Sequence, residues 1–491
     1  MNIIIKYLIS GGSTAIVDLL ILNFLDSLGL HYLISVNIAF IFAFFMSFTL
    51  QKYWTFNDAK VTKTHHQMSV YFVVSVCNIF LNSLIIHFLL QWNIIPLHFI
   101  LRPVVISQIL ASGLIAFESF MIYRYFIFKK DMSKKGLANN RPLKILIITQ
   151  KLDANDSYFG FFYDWVLRFS SSCMSVTVIT LEVGAYKLPE NVKVLSLKKG
   201  SKLESLYLLW KYSITEKDNY DAVFCHMSPV YVIVGWPLWM LFDKTVALWY
   251  VHRSVDLKLK IATFLSDIIF TATPESFRIK NKKVKYMGQA VDIQRFSKPK
   301  NYDNSTDNIL KIITVGRITP IKNLDILIKA ISIIKTQNIL VKMEIIGMPL
   351  YSSDFEYKKS LEDLIKNNNL IKEIDFVGAI ANKDMPQYYW KNDICVNLAP
   401  TGGLDKTVLE AMASGIPVVI VNKAFEGHLG SFVDVLLAKE GDVEDFAEKL
   451  ISLYRNKNYI EIGKTLQEKV KERSSLDNLI PSIVKNINEI L

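Results

Sequence analysis

Arg317 and Lys322 stand five residues apart in VGRITPIKNLDILIKAI, residues 315–331, directly after an apolar run of strand length. Further on, LDKTVLEAMASGIPVV, residues 404–419, follows the apolar run DICVNLA and the loop PTGG. Asp405 is a candidate N-cap for a helix opening at this point. The backbone N–H groups of Lys406 and Thr407 would then lie at a helix N-terminus, where unpaired amides and the helix dipole favour a phosphate. Glu410, further along the same helix, offers a carboxylate to a ribose diol. Either segment alone reads as surface cations or a solvated glutamate. Together, in order and each after a strand, they supply most of a nucleotide-diphosphate site.

Such a site needs a scaffold that brings strand ends together. KILIITQ (144–150), VTVITLEV, DAVFCH, VALWYVH and DIIFTAT are apolar runs separated by helix-like stretches, and a second series runs through ILKIITVG, VKMEIIG, EIDFVG, DICVNLA and IPVVIV. Strands alternating with helices predict parallel sheets covered on both faces. Two halves, residues 144–298 and 299–491, predict two Rossmann-like α/β domains facing each other across a cleft. The stretch 229–242, PVYVIVGWPLWMLF, contains Pro237 and ends at Asp243. It is short for a membrane span and reads as a buried or surface-lying helix. The charged, periodic C-terminal stretch reads as terminal helices that pack back across the cleft.

The first 130 residues differ in kind. They hold 8 Lys and Arg and 4 Asp and Glu, against 48 and 41 in the rest of the chain. Apolar runs at 7–25, 32–50, 69–92 and 99–123 are each long enough to cross a hydrocarbon core of ~30 Å as a helix. The connectors 26–31 and 93–98 carry no Lys or Arg, whereas Lys52, Lys60 and Lys63 lie in 51–68 and Lys129, Lys130, Lys134 and Lys135 follow the fourth run. The positive-inside rule places both termini and the middle loop in the cytoplasm. Lys6 alone makes a poor n-region, so no cleavable signal peptide is expected. A basic, polar linker, residues 131–143, joins the membrane part to the α/β part.

A repeat marks this region. SFTLQKYWTF (47–56) and SFMIYRYFIF (119–128) share Ser, Phe, a cation (Lys52 or Arg124) and aromatics at matching positions seventy-two residues apart. Each would end an even-numbered helix on the cytoplasmic side, with Lys52 and Arg124 reaching lipid phosphate and Tyr53, Trp54, Tyr125 and Phe126 in the headgroup zone. Asp18 and Glu118 lie inside apolar runs, where a carboxylate must face a partner or a wet cavity. Lys6 and Arg102 are the candidate partners.

The net charge of +11 suits basic loops on an anionic leaflet. No nucleic-acid motif accompanies it, so no nucleic-acid partner is expected. Cys77, Cys173, Cys225 and Cys395 form no CxxC pair and read as buried thiols rather than a disulfide framework or zinc site. His65 and His66 lack metal-ligand spacing.

Residues 1–130 resemble the GtrA-like family of four-helix membrane proteins, on YLISGGSTAIVDLLILNFL with Gly11, Gly12 and Asp18, and on the two repeated segments. The family's usual Asn-Arg pair is Gln51 and Lys52 here. Residues 144–480 resemble GT-B glycosyltransferases of the retaining group 1, or family 4, class. The carriers are TQKLDANDSYFGFFYDW, WYVH, TPES, GQAVDIQRF, GRITPIK and LDKTVLEAMASGIPVV. The fold class expected is therefore an all-α four-helix transmembrane domain followed by an α/β GT-B pair.

The resemblance implies that Arg317 and Lys322 hold the donor diphosphate and that Glu410 holds the ribose. It places His252 by the donor sugar and acceptor, and Gly160 in a first-domain loop near acceptor and phosphate. Gly402 occupies the position of the family's second glutamate, eight residues before Glu410, leaving Asp405 or Lys406 for the sugar contact. No metal or other cofactor is expected. The implied partners are a nucleotide-diphosphate sugar, a polyprenyl-phosphate or lipid-linked glycan, and the lipid bilayer, with a homodimer as a further expectation. The implied location is the inner (plasma) membrane, multi-pass, with the transferase domains cytoplasmic. One reading of function is a transferase for cell-surface polysaccharide; the alternative is a flippase for lipid-linked sugar whose soluble half binds or regulates.

Overall fold

The computed structural model describes residues 3–58, 64–91, 103–128, 142–198, 200–299, 302 and 308–491. Lys60, Lys63, Arg102, Lys129, Lys130, Lys134, Lys135 and the connector 93–98 fall outside the described residues, as do the side chains of His66, Tyr125 and Phe126. The chain divides into two compact units, Met1–Lys134 and Lys135–Leu491.

Among the described residues the first unit holds four long α-helices: α1 (Ile3–Ser27), α2 (Tyr32–Thr49), α3 (Thr64–Gln91) and α4 (Pro103–Ile122). Two stretches, Ile3–Leu25 and Gln67–Leu89, are long and apolar enough to cross a membrane. The unit is inverted relative to a water-soluble bundle. Leu19, Leu20, Phe24, Phe42, Phe80 and Leu84 point outward, while Ser10, Ser35, Ala39, Ser107 and Ala111 are buried between helices. Small residues at the contacts let helices approach closely where no hydrophobic effect drives them together.

The repeat extends into three dimensions. Leu50–Thr55 and Tyr123–Ile127 are both π-helical turns, closed by the Phe56 N–H donating to the Gln51 carbonyl and the Phe128 N–H donating to that of Tyr123. Phe48 packs on Phe128 and its counterpart Phe120 packs on Phe56, each pair with ring centroids 5.9 Å apart. The two terminal rings, Phe56 and Phe128, stack on one another at 5.2 Å. Buried Ser35 and Ala39 of α2 recur, at the same offset, as buried Ser107 and Ala111 of α4. The first unit is thus a duplicated helix pair whose halves cross-pack through equivalent rings.

One reading of this region changes. Lys52 was expected to reach lipid phosphate, but it is fully buried. Its Nζ donates to Gln67 Oε1 at 2.6 Å and pairs with Asp58 at 3.4 Å, while Gln67 donates in turn to the Ile127 carbonyl at 2.8 Å. A buried ammonium needs this degree of pairing, and the network ties the first repeat to the second.

The second unit contains two all-parallel sheets. The first has strands β1 (Lys144–Leu152), β2 (Ser175–Val183), β3 (Val192–Ser196), β4 (Ala222–His226), β5 (Thr245–Trp249), β6 (Ile268–Thr271) and β7 (Val284–Tyr286), in the order β3-β2-β1-β4-β5-β6-β7. The second has β8 (Leu310–Val315), β9 (Val341–Ile346), β10 (Ile374–Gly378), β11 (Ile394–Asn397) and β12 (Val418–Ile420), in the order β10-β9-β8-β11-β12. Central strands β4 and β11 are buried along their whole length and β1 over residues 145–149, as strands covered on both faces must be.

Helix α5 (Gly160–Ser172) lies against the first sheet. The last helix, Leu476–Asn488, places Leu476, Leu479, Ile480, Ile483 and Ile487 in the first sheet's core beside Phe162, Trp165 and Phe169. The chain therefore returns to the first domain after completing the second. The stretch Pro229–Leu241 is a helix with Val232, Trp236, Trp239 and Met240 buried.

Candidate functional site

A cavity of about 450 Å³ lies where the strands of both sheets end. Open parallel sheets bind ligands at this edge because the strand-to-helix loops and helix N-termini converge there. The second domain contributes Arg317, Lys322, Asp405, Lys406, Thr407 and Glu410; the first contributes Phe161, Trp165, His226 and Trp249, among others.

Each polar group is set by local sequence. Strand β8 ends at Val315, and Gly316 and Arg317 follow it. Neighbouring Gly347, at φ +139°, must lack a side chain, because a Cβ there would collide with the Gly316 carbonyl oxygen. Pro320 opens a short 3-10 turn, Pro320–Lys322, and Asn323 ends it in the left-handed region at φ +47°. Asparagine tolerates that conformation, and its side chain anchors the turn by donating to the Leu398 carbonyl at 3.1 Å. Lys322 is thereby folded back over Gly316.

The Lys322 ammonium meets Asp405 Oδ2 at 2.6 Å, and Asn397 Nδ2 donates to the same oxygen at 3.0 Å. Asp405 occupies the N-cap position of the helix Lys406–Ala413, but its side chain makes no capping hydrogen bond and turns to Lys322 instead. Burial pushes the Asp405 carboxyl up, yet Lys322 and the donors around it hold it below the ordinary carboxylate range. Arg317 Nε lies 3.6 Å from Asp354, and its guanidinium sits 5.2 Å from the Tyr351 ring centre.

Deeper in the cavity, Glu410 is buried and Tyr389 Oη donates to its Oε2 at 3.2 Å. Burial raises the Glu410 carboxyl to about 7, against the opposing pull of the Lys406 and Arg295 cations. Asp164, on α5, is raised by burial to about 6 although Arg295 lies 2.7 Å away. Arg295 also donates to Asn382 Oδ1 at 2.6 Å, so a single guanidinium bridges the two α/β domains. Thr407 Oγ1 is 3.5 Å from Asp405 Oδ1.

Three residues named from the sequence for this site lie outside the cavity lining. His252 is exposed, and its Nδ1 accepts from the Ser254 N–H at 3.1 Å, which leaves the ring proton on Nε2. Gly160 opens α5 against the second domain, where an added Cβ would lie 2.9 Å from Asn382 Cβ. Gly402 has room: a Cβ there would meet only the Pro400 carbonyl oxygen, at 3.8 Å. Asp354, Tyr389, Asn397, Asp164 and Arg295 were not singled out from the sequence. Only Asn397, the last residue of β11 within DICVNLA, carries a positional signal; the others reach the site through tertiary contacts.

In the first unit a second cavity, about 420 Å³, is lined by Tyr7, Gly11, Gly12, Ser47, Gln51, Tyr71, Ser75 and Tyr123, among others. Asp18, Lys52, Glu118 and Arg124 do not line it. Asp18 and Glu118 are partly buried, and Glu118 Oε2 accepts from Ser119 Oγ at 3.4 Å. Lys6, a candidate partner for these carboxylates, donates to the Trp54 carbonyl at 3.3 Å. Arg124 lies with its guanidinium 6.0 Å from the Phe120 ring centre.

Comparison with known proteins follows this division. Residues 6–128 match the family described as GtrA/DPMS, transmembrane domain, and residues 294–473 match Glycosyl transferases group 1. The chain is 25% identical to the sulfoquinovosyl transferase SQD2 of Arabidopsis thaliana over 264 residues, 50% of this chain and 47% of that protein. It is 22% identical to the mannosylfructose-phosphate synthase of Agrobacterium fabrum over 181 residues, 35% of this chain and 38% of that protein. The matches thus span about half the length of the first relative and less of the second. Among solved structures, Anabaena Alr3699/HepE in complex with UDP superposes with a TM-score of 0.57 at 18% identity, covering 70% of this chain and 99% of that one. Two parallel α/β domains around a cleft, as in GT-B proteins, are thus common to both.

Proposed function

We propose that this chain, which joins a GtrA/DPMS transmembrane domain to a glycosyl transferase group 1 domain, moves a sugar from a nucleotide-diphosphate donor to a lipid-linked acceptor of polyprenyl type. One observation carries the reading: Arg317, Lys322, a helix N-terminus at Lys406 and the buried Glu410 share one cavity between two Rossmann-like sheets. The cations and helix dipole suit a diphosphate and the carboxylate suits a ribose diol. The likeness to a protein solved with UDP supports a nucleoside diphosphate as part of the donor.

The chemistry follows from charge. The acceptor oxygen bonds to the anomeric carbon as the bond from that carbon to the diphosphate oxygen breaks, and the acceptor proton passes to the departing diphosphate. Attack on the face the diphosphate leaves retains configuration. Arg317, Lys322 and the amides at Lys406 and Thr407 stabilise the charge that builds on the leaving group, and the proposed step calls for no metal. Tethering the transferase to helices long enough to cross a membrane raises the effective concentration of an acceptor held in the bilayer. The charge distribution of the first 130 residues favours a multi-pass topology with the transferase domains cytoplasmic, where nucleotide sugars are made.

A second reading rests on Gly402, which supplies no carboxylate to a donor sugar: the membrane unit moves lipid-linked sugar and the α/β unit binds or regulates. Membranes carrying the full chain, given radiolabelled nucleotide sugars, separate the two. The transferase reading expects label in a lipid-extractable product, and none with Lys322→Ala. Failure of every donor, alongside flipping of lipid-linked sugar in vesicles, would overturn it.

A further inference from the structure

We propose that the Lys406 side chain is a third cationic ligand for the donor diphosphate, in addition to Arg317 and Lys322. The inference rests on the transferase reading and adds a residue whose side-chain chemistry that reading does not use.

The two cations of the VGRITPIK segment do not stand alone. Arg317 faces Asp354 at 3.6 Å and Lys322 faces Asp405 at 2.6 Å. An incoming diphosphate meets two cations already matched by two carboxylates. Lys406, the residue after Asp405, restores the balance. Its stem is partly exposed, but its Nζ is buried and has no hydrogen-bond partner among the described residues. The ammonium lies against the first domain, 2.7 Å from the centre of the Phe161 ring, and both side chains line the cavity with Lys322, Thr407 and Glu410.

A ring face is a weak substitute for the three hydrogen bonds an ammonium can donate. A buried cation in that state is expensive unless a ligand completes it. The charged and titratable groups around it are Glu410 on its own helix, Asp164 on α5, Arg295 and His226. Asp164 is engaged by Arg295 and Glu410 by Tyr389. What remains for Lys406 is an anionic oxygen from the ligand, and phosphate fits a compact point charge at a helix N-terminus.

A consequence separates this role from a structural one. Burial lowers the Lys406 ammonium to about 7, with Glu410 and Asp164 pulling it up and Arg295 pulling it down. In the empty cavity it is largely neutral at pH 8. A diphosphate beside it favours the charged form, so binding at that pH takes up a proton.

The test is titration calorimetry of the detergent-solubilised full chain at pH 8 with UDP, GDP, ADP and dTDP, in buffers of different ionisation enthalpy. Wild type is expected to take up protons with whichever nucleotide binds. Lys406→Met is expected to bind it about tenfold more weakly, the scale of one charge-assisted contact, and with less proton uptake, the remainder coming from Glu410 in the same cavity. Lys406→Arg, permanently charged, is expected to keep most of the affinity while also reducing the uptake; it serves if the methionine variant does not fold. Unchanged affinity and unchanged uptake in both variants would overturn the proposal while leaving the transferase reading intact. If no nucleoside diphosphate binds wild type, the transferase reading fails and this one fails with it.

Discussion

Lys322 Nζ lies 2.6 Å from Asp405 Oδ2, which joins the loop after β8 to the N-terminus of the helix Lys406–Ala413. The two side chains are 19% and 24% exposed, so the pair is screened more than a fully buried one. Removing the cation strands a carboxylate that burial already pushes towards neutrality. Lys322→Met is therefore expected to lower the stability of the α/β unit by ~2 kcal/mol and to abolish sugar transfer. Lys322→Met with Asp405→Leu is expected to regain most of the stability and none of the transfer. Urea midpoints from pulse proteolysis measure the first effect and product formation the second. Equal stability of the single variant and wild type would show that the pair does not form.

Two buried histidines predict an acid-sensitive term. His226 stacks on Phe162 with ring centres 4.0 Å apart, and burial, then the Lys406 ammonium, lowers its pKa to about 3. His428 sits 2.9 Å from Ser474 Oγ, and burial, then Arg473, lowers it to about 4. Both folded values lie below the unfolded value of about 6.5. The unfolded chain therefore binds protons first, and the stability these residues contribute, complete above that pH, is lost as pH falls through 6.5 towards 4 and 3. Asp164 and Glu410, raised to about 6 and 7, act in the opposite sense over part of this window. The informative quantity is thus a difference. His226→Phe with His428→Asn is expected to gain stability relative to wild type as pH drops from 7.5 to 5. A constant difference between the two pH values would contradict it.

The strands that position the site were legible because they are continuous apolar runs bounded by turn residues. Strands β3 and β7 were not: VKVLS has a lysine in a short run, and VKY is three residues at a sheet edge with two of them exposed. Arg317, Lys322 and Glu410 were legible because each lies in the loop or helix that follows a strand. Asp354, Arg295 and Asp164 were not, because their contacts at the cavity connect elements far apart in sequence. Lys52 shows the limit most clearly. A cation at a helix end predicts a headgroup contact, yet Asp58 and Gln67, six and fifteen residues further along the chain, draw it inside. Nothing in the composition of either repeat announces a π-helical turn. The turns accompany the stacking of Phe56 on Phe128, a contact across seventy-two residues that local sequence does not encode.

The stack of Phe56 on Phe128 offers a test of the duplicated architecture. Both rings are buried, and each also packs on the other repeat through Phe120 and Phe48. Removing either ring leaves its partner without a face, so the two single losses overlap. A double-mutant cycle with Phe56→Leu and Phe128→Leu is expected to give a coupling of about 0.5–1.5 kcal/mol, the range for paired aromatic rings. Because the arrangement is pseudo-symmetric, Phe48→Leu and Phe120→Leu are expected to destabilise by similar amounts. Thermal midpoints of the full chain in one detergent provide the measurement. Additive losses in the cycle, or a large cost for Phe48 with none for Phe120, would mean that the two repeats do not pack as equivalent halves.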